Sequence, residues 1–87
     1  MKSPRYLDFV RGLGCLVCQS PLVQAHHLQR VELSAMSKKP GDEWTVPMCS
    51  KHHTDLHLTG DEQSWWDLKG IDAKGWAERM WEVWNGV

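Results

Sequence analysis

The sequence predicts a small α+β domain, a β-β-α unit flanked by further helices, and three observations carry that prediction. The chain has 87 residues, enough for one hydrophobic core and too few for two. Two short β-like stretches precede a helix that opens on a Cys-x-x-His pair. Elsewhere the apolar residues recur at helical spacing. Residues 1–87 are therefore read as a single domain, with the core over 12–60 and a helical tail over 61–87.

The elements follow in order. Ser3-Pro4 starts a helix, with Ser as N-cap and Pro in the first helical position. Tyr6, Leu7 and Val10 give it an apolar stripe to about Arg11, before Gly12 and Gly14 end it. Cys15 to Cys18 forms a tight turn, and Leu22 to Leu28 reads as a short strand. Residues 29–43 are polar and carry Lys38-Lys39-Pro40-Gly41-Asp42, a turn-rich loop. Trp44 to Met48 alternates and can pair with the first strand, Pro47 suiting a strand terminus. Ser50 caps a helix that reaches about Leu58 and stops at Gly60. A short helix covers Glu62 to Lys69, and Asp72 caps a last one bearing Trp76, Met80 and Trp84, with Ala77 and Trp81 on the adjoining row. The tryptophans of the tail, Trp65, Trp66, Trp76, Trp81 and Trp84, read as hydrophobic core rather than base-stacking surface; a partly exposed patch of them is a candidate homodimer face.

So small a domain buries little apolar surface and calls for a staple. Three cysteines leave an odd count, which argues against a disulfide framework. Cys15-x-x-Cys18 and Cys49-x-x-His52 instead have metal spacing. Zinc takes four tetrahedral ligands, commonly thiolates with imidazole. One knuckle on a turn and one opening a helix describe a treble-clef-like arrangement, with Cys15, Cys18, Cys49 and His52 holding a structural zinc. Thiolate ligands, no export signal and no apolar run of membrane-spanning length predict a cytoplasmic protein without a membrane partner.

Net charge is −1, so the molecule as a whole is not a basic nucleic-acid binder. The distribution is uneven: residues 1–51 carry +3 and residues 52–87 carry −4. That split permits a locally positive face for a polyanion, with Arg30, Lys38, Lys39 and Lys51 as candidate phosphate contacts or simply solvated charges.

Four of the five histidines lie outside the zinc set. His53 and His57 are i, i+4 on the third expected helix-forming stretch's predecessor, the helix opened by Ser50, so both project from one face. His26 and His27 are adjacent on a strand and point to opposite sides. With the helix across the hairpin, one of that pair can join His53 and His57 around a second metal while its neighbour stays uncoordinated. This suits phosphodiester hydrolysis: a divalent ion polarises the phosphate, and a free imidazole takes a proton from the attacking water.

The order Cys15-x-x-Cys18, Ala25-His26-His27, Pro47-Met48-Cys49-x-x-His52-His53 and His57 resembles the HNH (ββα-metal) endonucleases, over roughly residues 12–66. It looks most like small phage-encoded members related to recombination-enhancement nucleases. The resemblance implies His27 as general base, His26, His53 and His57 as ligands of a catalytic divalent ion, and DNA as substrate. It also implies a phage or prophage setting in a bacterial host, with a recombination or packaging protein as partner. Imidazole-rich sites accept zinc, nickel or manganese, and hydrated magnesium can serve in turnover. The family's middle Asn has no counterpart, since Trp44 and Thr45 occupy that stretch; Asp42, Glu43 or a backbone carbonyl are the alternatives for orienting the base. The alternative function on the same scaffold is a noncatalytic, zinc-dependent module that binds nucleic acid or protein.

Overall fold

The structure, a computed structural model, describes residues 2–28 and 41–86. Its elements are α1 (Pro4–Arg11), β1 (Val23–His27), a 3-10 turn (Asp42–Trp44), β2 (Thr45–Cys49), α2 (Ser50–Thr59), α3 (Glu62–Lys69) and α4 (Ala73–Trp84). The described residues form a small α+β fold: a two-stranded antiparallel sheet with four helices. Among the described residues no helix is long and apolar enough to cross a membrane.

Helix α1 begins where the Ser-Pro signal places it. The Ser3 hydroxyl accepts from the Tyr6 amide at 3.3 Å, capping one of the donors a helix start leaves unpaired. Tyr6 and Val10, one turn apart, are fully buried against the hairpin and α4, where the Tyr6 ring meets Trp81 edge-on at 4.9 Å.

The strands pair in the register Val23↔Cys49, Gln24↔Met48, Ala25↔Pro47, His26↔Val46 and His27↔Thr45. Pro47 lies at the centre of β2 rather than at its end. The reason is its place in the ladder. The Pro47 carbonyl accepts from the Leu16 amide on the side away from β1, so the position of its missing N–H also faces away from β1. The flanking pairs carry the ladder, which Leu28 extends by donating to the Trp44 carbonyl at 2.8 Å. All five residues of β2 are buried, while on β1 His26 alone is buried and Gln24 and His27 are exposed.

Helix α2 is capped by Cys49, in extended backbone conformation, and Ser50 is its first helical residue rather than its cap. It ends at Gly60, whose φ of +82° is left-handed and strained for residues with a Cβ. Asp61 and Asp72 cap α3 and α4 through the amides of Ser64 and Gly75.

The core gathers Leu28, Val46, Met48, Leu56, Trp65, Trp66, Ala73 and Ala77. On α4 the buried row is thus Ala73 and Ala77, not Trp76, Met80 and Trp84. Small residues let the helix approach β2 and the 3-10 turn closely; Trp76 and Trp81 flank the contact half-buried, and Trp84 is 39 % exposed.

Candidate metal centres

Among the described residues, two groups of side chains have metal-ligand geometry. The first joins Cys15, Cys18, Cys49 and His52, whose donor atoms all lie within 4.8 Å of one another. The register sets it up: β2 delivers Cys49 to the start of α2, and the Leu16–Pro47 hydrogen bond fastens the Cys15–Cys18 turn beside it. Within that turn Cys15 donates its amide to the Ser20 carbonyl, and Gln19 takes a left-handed φ of +67°.

The distances fit zinc. Cys18 Sγ is 3.7 Å from Cys49 Sγ, and His52 Nδ1 is 3.2 Å from Cys49 Sγ and 4.0 Å from Cys15 Sγ. Tetrahedral zinc, with Zn–S near 2.3 Å and Zn–N near 2.0 Å, sets such donors roughly 3.5–3.8 Å apart. The thiols are free, not cross-linked. Burial opposes the Cys15 thiolate, but hydrogen bonds from the backbone of Cys49, Cys18 and Val17 outweigh it and bring its pKa down to about 6. The Ser20 amide favours the Cys18 thiolate, yet desolvation and the neighbouring Cys49 and Cys15 sulfurs push its pKa up. A cation among the sulfurs removes that conflict. The structure thus contains a Cys3His cluster able to hold a metal such as zinc.

The second group is His26, His53 and His57, whose donor atoms also lie within 4.8 Å of one another. His53 and His57 stand one turn apart on α2, and His26, only 4 % exposed, faces them from β1. The ring centroids are 4.7 Å apart for His53–His57, 4.9 Å for His26–His53 and 5.8 Å for His26–His57.

The hydrogen bonds around this group favour one set of tautomers. His26 Nε2 lies 3.2 Å from Glu62 Oε2, an acceptor when ionised, so that nitrogen carries the hydrogen and donates. His53 Nδ1 likewise donates to Gln24 Oε1 at 2.7 Å. With both rings neutral, this leaves His26 Nδ1 and His53 Nε2, 3.1 Å apart, as the two nitrogens without a hydrogen. Lone pairs so placed repel unless a cation lies between them, and imidazoles on one zinc-like ion sit roughly 3.3 Å apart. Burial, then the charges of His26 and His57, lower the His53 pKa, with Glu62 opposing; this keeps the ring neutral and available as a ligand.

His27 takes the other side of β1. Its side chain is 43 % exposed, and its Nε2 donates to Asp42 Oδ1 at 2.8 Å, leaving Nδ1 bare. Asp42 belongs to the 3-10 turn before β2, and its second oxygen accepts from the Ser3 amide at 2.6 Å. Of the three alternatives for partnering this histidine, the structure thus shows Asp42 in contact. Lys51 is exposed on the first turn of α2, and Arg30, Lys38 and Lys39 lie outside the described residues.

Sequence reasoning did not find Gln24 or Glu62. Glu62 reads there as an ordinary acid in a helix's first turn; only the packing of α3 against α2 brings it to His26.

Residues 1–82 match the family model described as "Protein of unknown function (DUF968)". Over 53 residues, 61 % of this chain, the sequence is 34 % identical to the "Uncharacterized protein YdfU" of Escherichia coli (strain K12). The chain spans 15 % of that relative's length. No solved structure matches it.

Proposed function

The chain belongs to the DUF968 family, and we propose that it is a metal-dependent endonuclease of the HNH type that hydrolyses DNA phosphodiester bonds. The observation that carries this reading is the pairing of two features on one strand: three imidazoles converging through His26, and an uncoordinated His27 held by a carboxylate. The α+β fold and the Cys3His cluster also support it: in this reading the cluster is the structural zinc site of a treble-clef-like scaffold and the β1-β2-α2 succession its ββα-metal core.

His26, His53 and His57 would hold a divalent ion, magnesium, manganese, nickel or zinc. When bound, it supplies positive charge to the phosphate and to the departing oxygen. The chain's own residues do the rest. Asp42 accepts the Nε2 hydrogen of His27 and so leaves Nδ1 as the basic nitrogen, which takes a proton from the attacking water. The imidazolium formed is then stabilised by the same carboxylate, so Asp42 serves in place of the family's Asn. Exposed Lys51, with Arg30, Lys38 and Lys39, would supply phosphate contacts. Substrate choice then rests on backbone contacts or on a partner, such as a phage recombination or packaging protein.

The test is plasmid nicking by purified protein with each of the four ions in turn. Wild type is expected to nick, and His27→Ala to lose roughly 10²–10⁴-fold in rate with unchanged zinc content and a fold that stays cooperative, its melting temperature lowered only by the lost Asp42 hydrogen bond. Undiminished cleavage by the variant would sink the assignment. A noncatalytic zinc-dependent binding module is the second reading, favoured by Trp44 and Thr45 where the family has Asn. It needs one ion per chain, and the nuclease needs two, so metal stoichiometry separates them.

A further inference from the structure

Glu62 takes no part in the chemistry just described, yet its carboxylate ends at the histidine cluster. It lies at the start of α3, in the helical tail beyond the helix that carries His53 and His57. One oxygen, Oε2, accepts from Nε2 of the nearly buried His26 at 3.2 Å and from the indole Nε1 of buried Trp66 at 3.0 Å. Trp66 is one turn further along the same helix, so the indole holds the carboxylate in place from within its own element. The Glu62 side chain is 15 % exposed, which limits competition from water for that oxygen.

We propose that Glu62 is a positioning residue of the histidine centre. By accepting the Nε2 hydrogen of His26 it keeps Nδ1 bare and aimed at His53 Nε2, and its negative charge makes that nitrogen a stronger donor to a cation. The two sides of the centre are built differently. His53 is oriented by a neutral amide, Gln24, and His26 by an anion. The anion accordingly contributes basicity as well as orientation, as carboxylate partners of ligand histidines do. It also makes the tail a working part of the centre: α3 reaches back over α2 to hold the ligand that β1 supplies. The proposal rests on the reading that His26, His53 and His57 bind a divalent ion.

The experiment titrates nickel into protein carrying one zinc per chain, for wild type, Glu62→Ala and Glu62→Gln, and follows the His26 ring N–H by NMR. Glu62→Ala is expected to weaken nickel binding by about 10- to 100-fold and to lose the exchange-protected Nε2–H resonance of His26. Glu62→Gln keeps an acceptor oxygen without the charge, so it retains the resonance with a smaller loss of affinity. Both variants keep their zinc; Glu62→Ala, which leaves the buried Trp66 indole N–H unpaired, melts below Glu62→Gln but still unfolds cooperatively. Wild-type nickel affinity in Glu62→Ala overturns the proposal, as does a loss in both variants that tracks loss of zinc and unfolding. A wild type that takes up no nickel overturns the ion-binding reading and the proposal with it. A wild type that binds nickel but nicks no DNA removes only the nuclease reading.

Discussion

Asp42 serves two neighbours at once, the ring of His27 and the amide of Ser3, and its titration follows from that. Burial raises its pKa, but the His27 hydrogen bond, the Ser3 amide and the His27 charge outweigh this and hold it below the usual carboxylate range. A carboxyl with a depressed folded pKa stabilises the fold above its unfolded pKa of about 3.9. That contribution is lost as pH falls through the folded value. Asp42→Asn is therefore expected to destabilise the protein by roughly 1–2 kcal/mol at pH 7, with the deficit against wild type shrinking below about pH 4. Chemical denaturation of both zinc-loaded proteins checks the deficit at pH 7, and its trend is followed down to the pH at which the ion is released. Equal stability of Asp42→Asn and wild type at pH 7 would show that the charge is not involved. The sequence left Asp42 as one of three alternatives because a hydrogen-bond partner on a distant turn has no spacing signature. Glu62 and Gln24 were invisible for the same reason: they reach their histidines across 36 and 29 residues of sequence. The two metal-type groups were legible because i, i+3 and i, i+4 spacings within a turn or helix dictate which side chains share a face.

At the scale of elements, α2 carries ligand atoms of both groups: His52 turns to the cysteines and its neighbour His53 to the other histidines. Its ends therefore matter for both. Gly60 closes the helix at a left-handed φ, and a Cβ there would meet no atom within 4 Å, so substitution tests backbone strain without steric clash. Gly60→Ala is expected to cost about 1 kcal/mol in denaturant unfolding of zinc-loaded protein, from the left-handed penalty alone. A neutral result would mean that α2 can end otherwise. Helix positions were read well from sequence where caps are local, as at Ser3 and Asp72. The buried row of α4 was not, because periodicity names an apolar face without saying how near its neighbour stands. Close approach selects Ala73 and Ala77 and pushes the tryptophans to the margins.

For the molecule as a whole, the Cys3His cluster ties together the Cys15–Cys18 turn, the end of β2 and the start of α2. A domain of 87 residues has little other stabilisation to draw on, so folding and ion binding should be one equilibrium. Removing the ion with a strong chelator is expected to abolish the near-ultraviolet circular dichroism of the tryptophans, and added zinc to restore it. Stripping only a weaker ion from His26, His53 and His57 should leave that spectrum unchanged. Persistence of the spectrum in fully chelated protein would show that the core stands without its staple.

Pro47 has a consequence for behaviour at high concentration. The outer side of β2 is where a second polypeptide would add a strand and seed aggregation. At its midpoint the chain offers no donor there, and the carbonyl is already engaged by Leu16. The outer side of β2 is thus blocked at its midpoint by a residue that also lies two positions before a zinc-type ligand, Cys49. A residue with an N–H in place of Pro47 would instead put a buried donor on that side of β2 with no strand partner to take it.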